Sequence, residues 1–171
     1  GSANPSFVAA DLLSQAEHDP SSQVILLSAS AHLLAAVQEE IADQLKSLPR
    51  REIAAAALAA SVTILIETID EAIDLANTYA PEHLSIQTQK PEEILKGIFN
   101  AGSIFLGSYS PETVGDYCSG TNHVLPTSGS ARVQGGVSIR TFQKVITVQR
   151  LSKEGLLNLQ QTAITLARTE Q

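Results

Sequence analysis

The sequence has 171 residues, 43% apolar and 17% charged, with 11 basic residues against 18 acidic ones for a net charge of -7. That is enough apolar material for one buried core, and the scattered lysines and arginines exclude the basic stripe that a nucleic-acid partner needs. A single cysteine, Cys118, excludes an internal disulfide, and no apolar run reaches the roughly 18 residues of a membrane span.

In chain order, Asn4-Pro5 predicts an N-cap with proline at the first helical position. Phe7, Val8, Leu12 and Leu13 then recur at helical spacing until His18-Asp19-Pro20. Gln15 and His18 lie three apart on the last turn and share a face. That placement suits two ligands for a metal or polar substrate, and it equally describes a solvated helix end. Val24-Ile25-Leu26-Leu27 reads as a short buried strand of the parallel kind. Ser28 or Ser30 caps the next helix, which runs to about Lys46 with Leu33, Leu34, Val37, Ile41 and Leu45 inward and His32 on the surface. Pro49 separates it from an alanine-rich helix, Glu52 to Ala60.

Val62 to Ile66 is again strand-like, and Thr68 or Asp70 caps a helix with Ile69, Ile73, Leu75 and Ala76 toward the core. Pro81 breaks that helix and leaves Glu82 and His83 in the turn before a strand from about Leu84 to Gln87. An adjacent carboxylate and imidazole make either an acid/base pair or a polar turn. Pro91 opens a helix to about Asn100, and Ile104-Phe105-Leu106 is the next strand.

The segment from Asn100 to Thr127 then offers a long loop rich in Gly, Ser, Pro and Asn, with one carboxylate at Asp116 and one imidazole at His123. Loops of that length are functional or disordered, and Val114, Tyr117, Val124 and Leu125 give this one something to pack with. Beyond it, Thr141-Phe142 and Val145 to Val148 predict a short helix and an extended segment. Ser152-Lys153-Glu154 opens a last helix with Leu156, Leu159, Ala163 and Leu166 on one face, suited to packing on another chain.

The alternation predicts an α/β fold. It is expected to be a mostly parallel sheet with flanking helices, an incomplete Rossmann-like domain over residues 1–137. A short extended and helical C-terminal extension over 138–171 should follow. The chain contains no GxGxxG and no GxxxxGK[ST], so neither phosphate-cradling loop is visible.

Taken together, Gln15-Ala16-Glu17-His18, Pro81-Glu82-His83-Leu84 and Gly115-Asp116-Tyr117 through Ser119-Gly120-Thr121-Asn122-His123-Val124-Leu125-Pro126-Thr127 closely resemble the histidinol dehydrogenase family. The likeness runs over nearly the whole chain and includes Asp19 to Leu27 and Asn100 to Gly107. It implies a four-electron oxidation of L-histidinol to L-histidine through L-histidinaldehyde, with two NAD+ and one water, at a site holding Zn2+.

By resemblance Gln15, His18 and Asp116 are metal ligands, Glu82 activates water for the second oxidation, and His83 is the general base of the first. His123 and Glu170 are implied substrate contacts, with Gln15, His18, Glu82, His83 and Asp116 also lining the substrate. Residues binding NAD+ are expected outside this chain, since family members are much longer and carry a further domain and a last zinc-ligating histidine. The chain is thus expected to be a fragment inactive by itself, drawn from a cytoplasmic homodimer, or a plastid one in a plant. Alternatives are a related zinc- and NAD-dependent dehydrogenase of another amino- or sulfonate-alcohol, or a non-catalytic excised domain. The sequence departs from the family pattern at Asp19, at Cys118, taken as an inert packing residue, and over Ser128-Gly129-Ser130-Ala131.

Overall fold

A computed structural model describes residues 2–170. The chain divides into one unit ending at Ser138 and a second beginning at Ile139. In the first unit, α1 (Pro5–Ala16) starts where the sequence places it, with the Asn4 side chain accepting from the Ser6 N–H at 3.0 Å. β1 (Ile25–Ser28) follows, then α2 (Ala31–Gln44), capped by Ser30, whose hydroxyl accepts from Leu33 N–H at 3.2 Å. A short 3-10 turn and α3 (Arg51–Ala59) lead to β2 (Val62–Leu65). Thr68 caps α4 (Ile69–Tyr79), and β3 (His83–Ile86), α5 (Pro91–Leu95), β4 (Ser103–Leu106) and α6 (Glu112–Tyr117) complete the regular elements before a 3-10 turn at Ser130–Arg132.

The expected Rossmann-like sheet is not what these elements build. Helices take about 50% of the chain and strands 9%. The four strands form two separate two-stranded sheets, β1–β2 and β3–β4. Both pairs are parallel, β1 and β2 connected through α2 and α3 and β3 and β4 through α5, with Ile25 opposite Val62 in one and His83 opposite Ser103 in the other. Apolar runs bounded by helices locate strands correctly. They do not say whether consecutive units share a ladder, and with only four residues per strand, helix packing dominates the architecture.

The core is accordingly helical. Leu13, Ala16, Val24, Ala54 and Ala57 form one buried cluster, and Val8, Ala9 and Val37 a second. Alanines at the contacts let α1 approach α2 and α3 closely, and the partly buried Leu12 and Ile41 touch both clusters. Of the inward positions expected on α4, only Ala76 is buried, whereas Ile69 and Leu75 are exposed.

The predicted helix from Pro91 to Asn100 stops at Leu95, because Asn77 on α4 captures the backbone beyond it. Asn77 Oδ1 accepts from the N–H groups of Phe99 (2.7 Å) and Asn100 (3.1 Å), while its amide donates to the Gly97 carbonyl at 2.8 Å. This clamp sets the chain's entry into β4. Among the described residues no helix is long and apolar enough to cross a membrane.

The second unit has a 3-10 turn at Ile139–Phe142 and α7 (Lys153–Thr169), capped by Ser152 accepting from Gly155 N–H at 3.0 Å. Val145, Ile146 and Val148 lie in irregular chain and are exposed. Leu156, Leu159 and Leu166 of α7 are exposed too.

Leu13 is 2% exposed on the helix that carries Gln15. Leu13→Ala should cost roughly 3 kcal/mol of stability, measured by urea unfolding of the folded chain.

Candidate active site

Three segments distant in sequence meet around one imidazole. His83 opens β3 immediately after Pro81-Glu82, where Ala80 ends α4 in the left-handed conformation (φ 55°). That conformation is unfavourable for a residue with a Cβ, and the proline that follows forbids continuation of the helix. The turn is pinned to the start of β4 by Gly102 N–H on the Pro81 carbonyl (2.9 Å) and Ser103 N–H on the Glu82 carbonyl (2.8 Å). A Cβ on Gly102 would lie 2.5 Å from the Glu82 oxygen, so the close approach requires glycine there.

The His83 ring stacks on Phe105 of β4, centroids 6.0 Å apart at 27°. Phe105 in turn occupies the space beside Gly115 of α6, where a Cβ would come within 2.4 Å of its ring. The absence of that side chain seats α6 against β4 and brings its acidic face to the imidazole.

That face was not legible as a helix in the sequence, which reads here as part of a long loop. α6 spans only six residues and contains Val114 and Gly115, so neither propensity nor period announces it. Its consequence is that Glu112 and Asp116, four apart, fall on one side. His83 Nε2 lies 3.7 Å from Glu112 Oε1 and 3.8 Å from Asp116 Oδ1. Asp116 Oδ2 pairs with His123 Nδ1 at 3.1 Å. Glu112 and Asp116 side chains are 5% and 6% exposed, His83 13% and His123 61%. Glu112 is the functional candidate that the sequence reading missed; the E-x-x-x-D spacing is its one signal.

α1 closes the cluster. Ser14 Oγ is 3.3 Å from Glu112 Oε2, and the Gln15 side chain interacts with the same carboxyl. Asp11, also unforeseen, ties α1 to β3. It accepts from Gln87 Nε2 at 2.9 Å and Ser85 Oγ at 3.4 Å, and it takes the backbone N–H of Glu112. Burial nevertheless pushes the Asp11 carboxyl up.

His18 is exposed past the end of α1, near enough for its charge to act on His83. Glu82 is half-buried beside His83. Gln15, His18, Glu82, His83, Asp116 and His123 therefore share one region of the first unit. Glu170 lies in the second unit, as the cap residue ending α7. Cys118 is exposed, with Sγ 3.6 Å from the Val114 carbonyl, so it does not fill the packing role expected of it.

Electrostatics follow from burial. Desolvation pushes Glu112 up from 4.5 to about 7, reinforced by its hydrogen bond to Asp116 and the charge there, while Gln15 and Ser14 pull it back. Desolvation holds the His83 imidazole below the ordinary histidine range; Glu82 and Asp116 raise it partway, and His18 and His123 lower it. His83 is therefore neutral near pH 7, the state of a proton acceptor.

One nitrogen of His83 and one oxygen each of Glu112 and Asp116 lie within 4.8 Å of one another, and this cluster has the capacity to bind a metal ion. His83 Nε2 and Glu112 Oε1 are buried without a hydrogen-bond partner, as is the amide donor Gln15 Nε2, and buried polar atoms of this kind are uncommon enough to need an explanation. An imidazole and carboxylates make a donor set that suits a borderline divalent cation such as zinc; of the ligands expected from resemblance, only Asp116 belongs to this trio. Next to the cluster, an open cleft of about 580 Å³ is lined by Gly102, Ser103, Thr121, Asn122, His123 and their neighbours. Its loop is held to α6 by Thr121 Oγ1 donating to the Gly115 carbonyl at 2.8 Å.

A family profile described as histidinol dehydrogenase matches residues 1–171. The chain is 55% identical over 168 residues to a histidinol dehydrogenase of Xylella fastidiosa, covering 98% of this chain and 39% of the relative. It is 55% identical to one from Shewanella oneidensis, of which it covers 38%. The crystal structure of histidinol dehydrogenase from Elizabethkingia anophelis superposes with a TM-score of 0.94 at 47% identity, covering 99% of this chain and 39% of that one. The chain thus spans about two-fifths of the length of these relatives.

Two outcomes follow from the geometry. Gly115→Ala should displace Phe105 and the His83 ring stacked on it, destabilising the first unit by about 1–3 kcal/mol, with the His83 ring signals moving in an NMR spectrum. The raised Glu112 pKa means that the folded protein without metal binds more protons than the unfolded one between pH 4.5 and about 7. This group's stabilising contribution is whole below that window and lost as pH rises through about 7, a decline of roughly 3 kcal/mol at most. Urea unfolding at pH 5 and pH 8 should show the decline in the parent chain and a flatter profile in Glu112→Gln.

Proposed function

The chain belongs to the histidinol dehydrogenase family, and from that membership we propose that the full-length protein carrying it oxidises L-histidinol to L-histidine by way of L-histidinaldehyde. The observation that carries this reading is the convergence of His83, Glu112 and Asp116, with Glu82 and Gln15 beside them, on a chain that matches the family throughout.

Gln15, His18 and Asp116 are proposed as the ligands this chain offers to Zn2+. When bound, zinc anchors and orients the amino alcohol, and NAD+ accepts a hydride in each of the two oxidations. His83, kept neutral by burial, takes the proton of the substrate hydroxyl at its free nitrogen. Phe105 and the β3–β4 pairing hold the ring in place for that transfer. Glu82 removes a proton from the water that hydrates the aldehyde before the second oxidation. His123, with Nδ1 on Asp116 and most of its ring open to the cleft, meets the carboxylate as it forms. Glu170 is a further substrate contact. L-Histidinol is the proposed substrate, and the assembly is a homodimer.

The test is NADH formation from L-histidinol, NAD+ and zinc by the full-length protein, with this chain assayed in parallel. Two NADH per histidinol from the full-length protein and none from the chain is the expected result. His83→Asn should lower turnover of histidinol by about 10²–10⁴, and Glu82→Gln should slow oxidation of added L-histidinaldehyde more than that of histidinol. A folded, zinc-loaded full-length protein that leaves histidinol untouched would move the assignment to another amino alcohol.

A further inference from the structure

We propose that Glu112 is a positioning residue for Gln15, its Oε1 receiving the Gln15 amide N–H so that the Gln15 oxygen is presented to the cation. This rests on the zinc-dependent reading above and adds to it a residue outside the set that resemblance implies. A primary amide is an ambiguous ligand. Its oxygen binds a cation and its nitrogen does not, yet half a turn of the group exchanges them with almost no change of shape. A glutamine ligand therefore needs something that claims its nitrogen.

The site contains that something. Gln15 Nε2 is a buried donor without a partner, and Glu112 Oε1 is a buried acceptor without one, on two side chains that already interact. The other Glu112 oxygen is engaged, with Oε2 3.3 Å from Ser14 Oγ. Ser14 and Gln15 are successive residues, so the carboxylate that meets the Ser14 hydroxyl also faces the Gln15 side chain at the end of α1. Asp116 does not supply this contact, since Oδ2 pairs with His123 and Oδ1 faces His83.

Burial argues the same way. Glu112 is 4% exposed, and its carboxyl shares this removal from water with that of Asp116. A carboxyl is kept there only where specific partners compensate its desolvation. Its partners are Ser14, Gln15, Asp116 and, at 3.7 Å, His83.

The experiment uses the full-length protein and reads zinc affinity by chelator competition alongside turnover. Glu112→Leu, similar in size but without an acceptor, should weaken zinc binding about 10–100-fold. Glu112→Gln keeps an acceptor oxygen and should restore affinity to within about threefold of the parent. In a Gln15→Ala background the same leucine substitution should change affinity by less than about twofold, because nothing remains to be oriented. A leucine variant that binds zinc like the parent overturns the proposal, as does an undiminished loss in the Gln15→Ala background. If Glu112→Leu does not fold, Glu112→Ala carries the same comparison. A parent protein that neither binds zinc nor oxidises histidinol overturns the functional reading itself. One that does both, with an indifferent leucine variant, overturns only the role of Glu112.

Discussion

Glu112 and Asp116 stand one helical turn apart with both side chains nearly out of water, facing an imidazole that is itself desolvated. Burial first, and the hydrogen bond and charge of Asp116 after it, raise the Glu112 pKa, so the pair resists full ionisation. A proton on Glu112 relieves the mutual repulsion, and a cation held by the cluster would do the same. The surrounding fold keeps the three groups together against this repulsion. Asp11 ties α1 to β3 and to the start of α6, Phe105 backs the imidazole, and the missing side chain at Gly115 lets α6 close in.

The helical core serves the same end. Small residues on α1, α2 and α3 give a close-packed support from which Ser14, Gln15 and His18 project at the end of α1. The two parallel strand pairs are short, and the β3–β4 pair fixes the Glu82-His83 turn relative to Phe105. Precision at the site therefore comes from helix packing and a few specific hydrogen bonds more than from an extended sheet.

Much of this was legible in the sequence where a local physical rule has a single reading. Asn4, Ser30, Thr68 and Ser152 cap helices as their chemistry dictates. Apolar runs mark all four strands, and Pro81 ends α4. The sheet was misjudged because strand adjacency is a tertiary property that no four-residue run encodes. α5 ended early because Asn77, some twenty residues away, claims the backbone that follows it. α6 stayed hidden inside a glycine-containing stretch, and with it Glu112, whose importance arises only when it is set beside Ser14. Asp116 and His123 stood out earlier because few other charged groups share their loop.

The contact between Ser14 and Glu112 joins residues 98 positions apart, and its neighbours connect α1 with β3 across more than seventy. A site made of such contacts has no local precursor. Loop closure must be completed before its groups meet, so it assembles in the last stage of folding. A divalent ion present earlier meets separated histidines and carboxylates, and any binding to them favours the unfolded chain. For the cation proposed above, the consequence is one of order: donors drawn from such distant positions form a set only once the topology has closed.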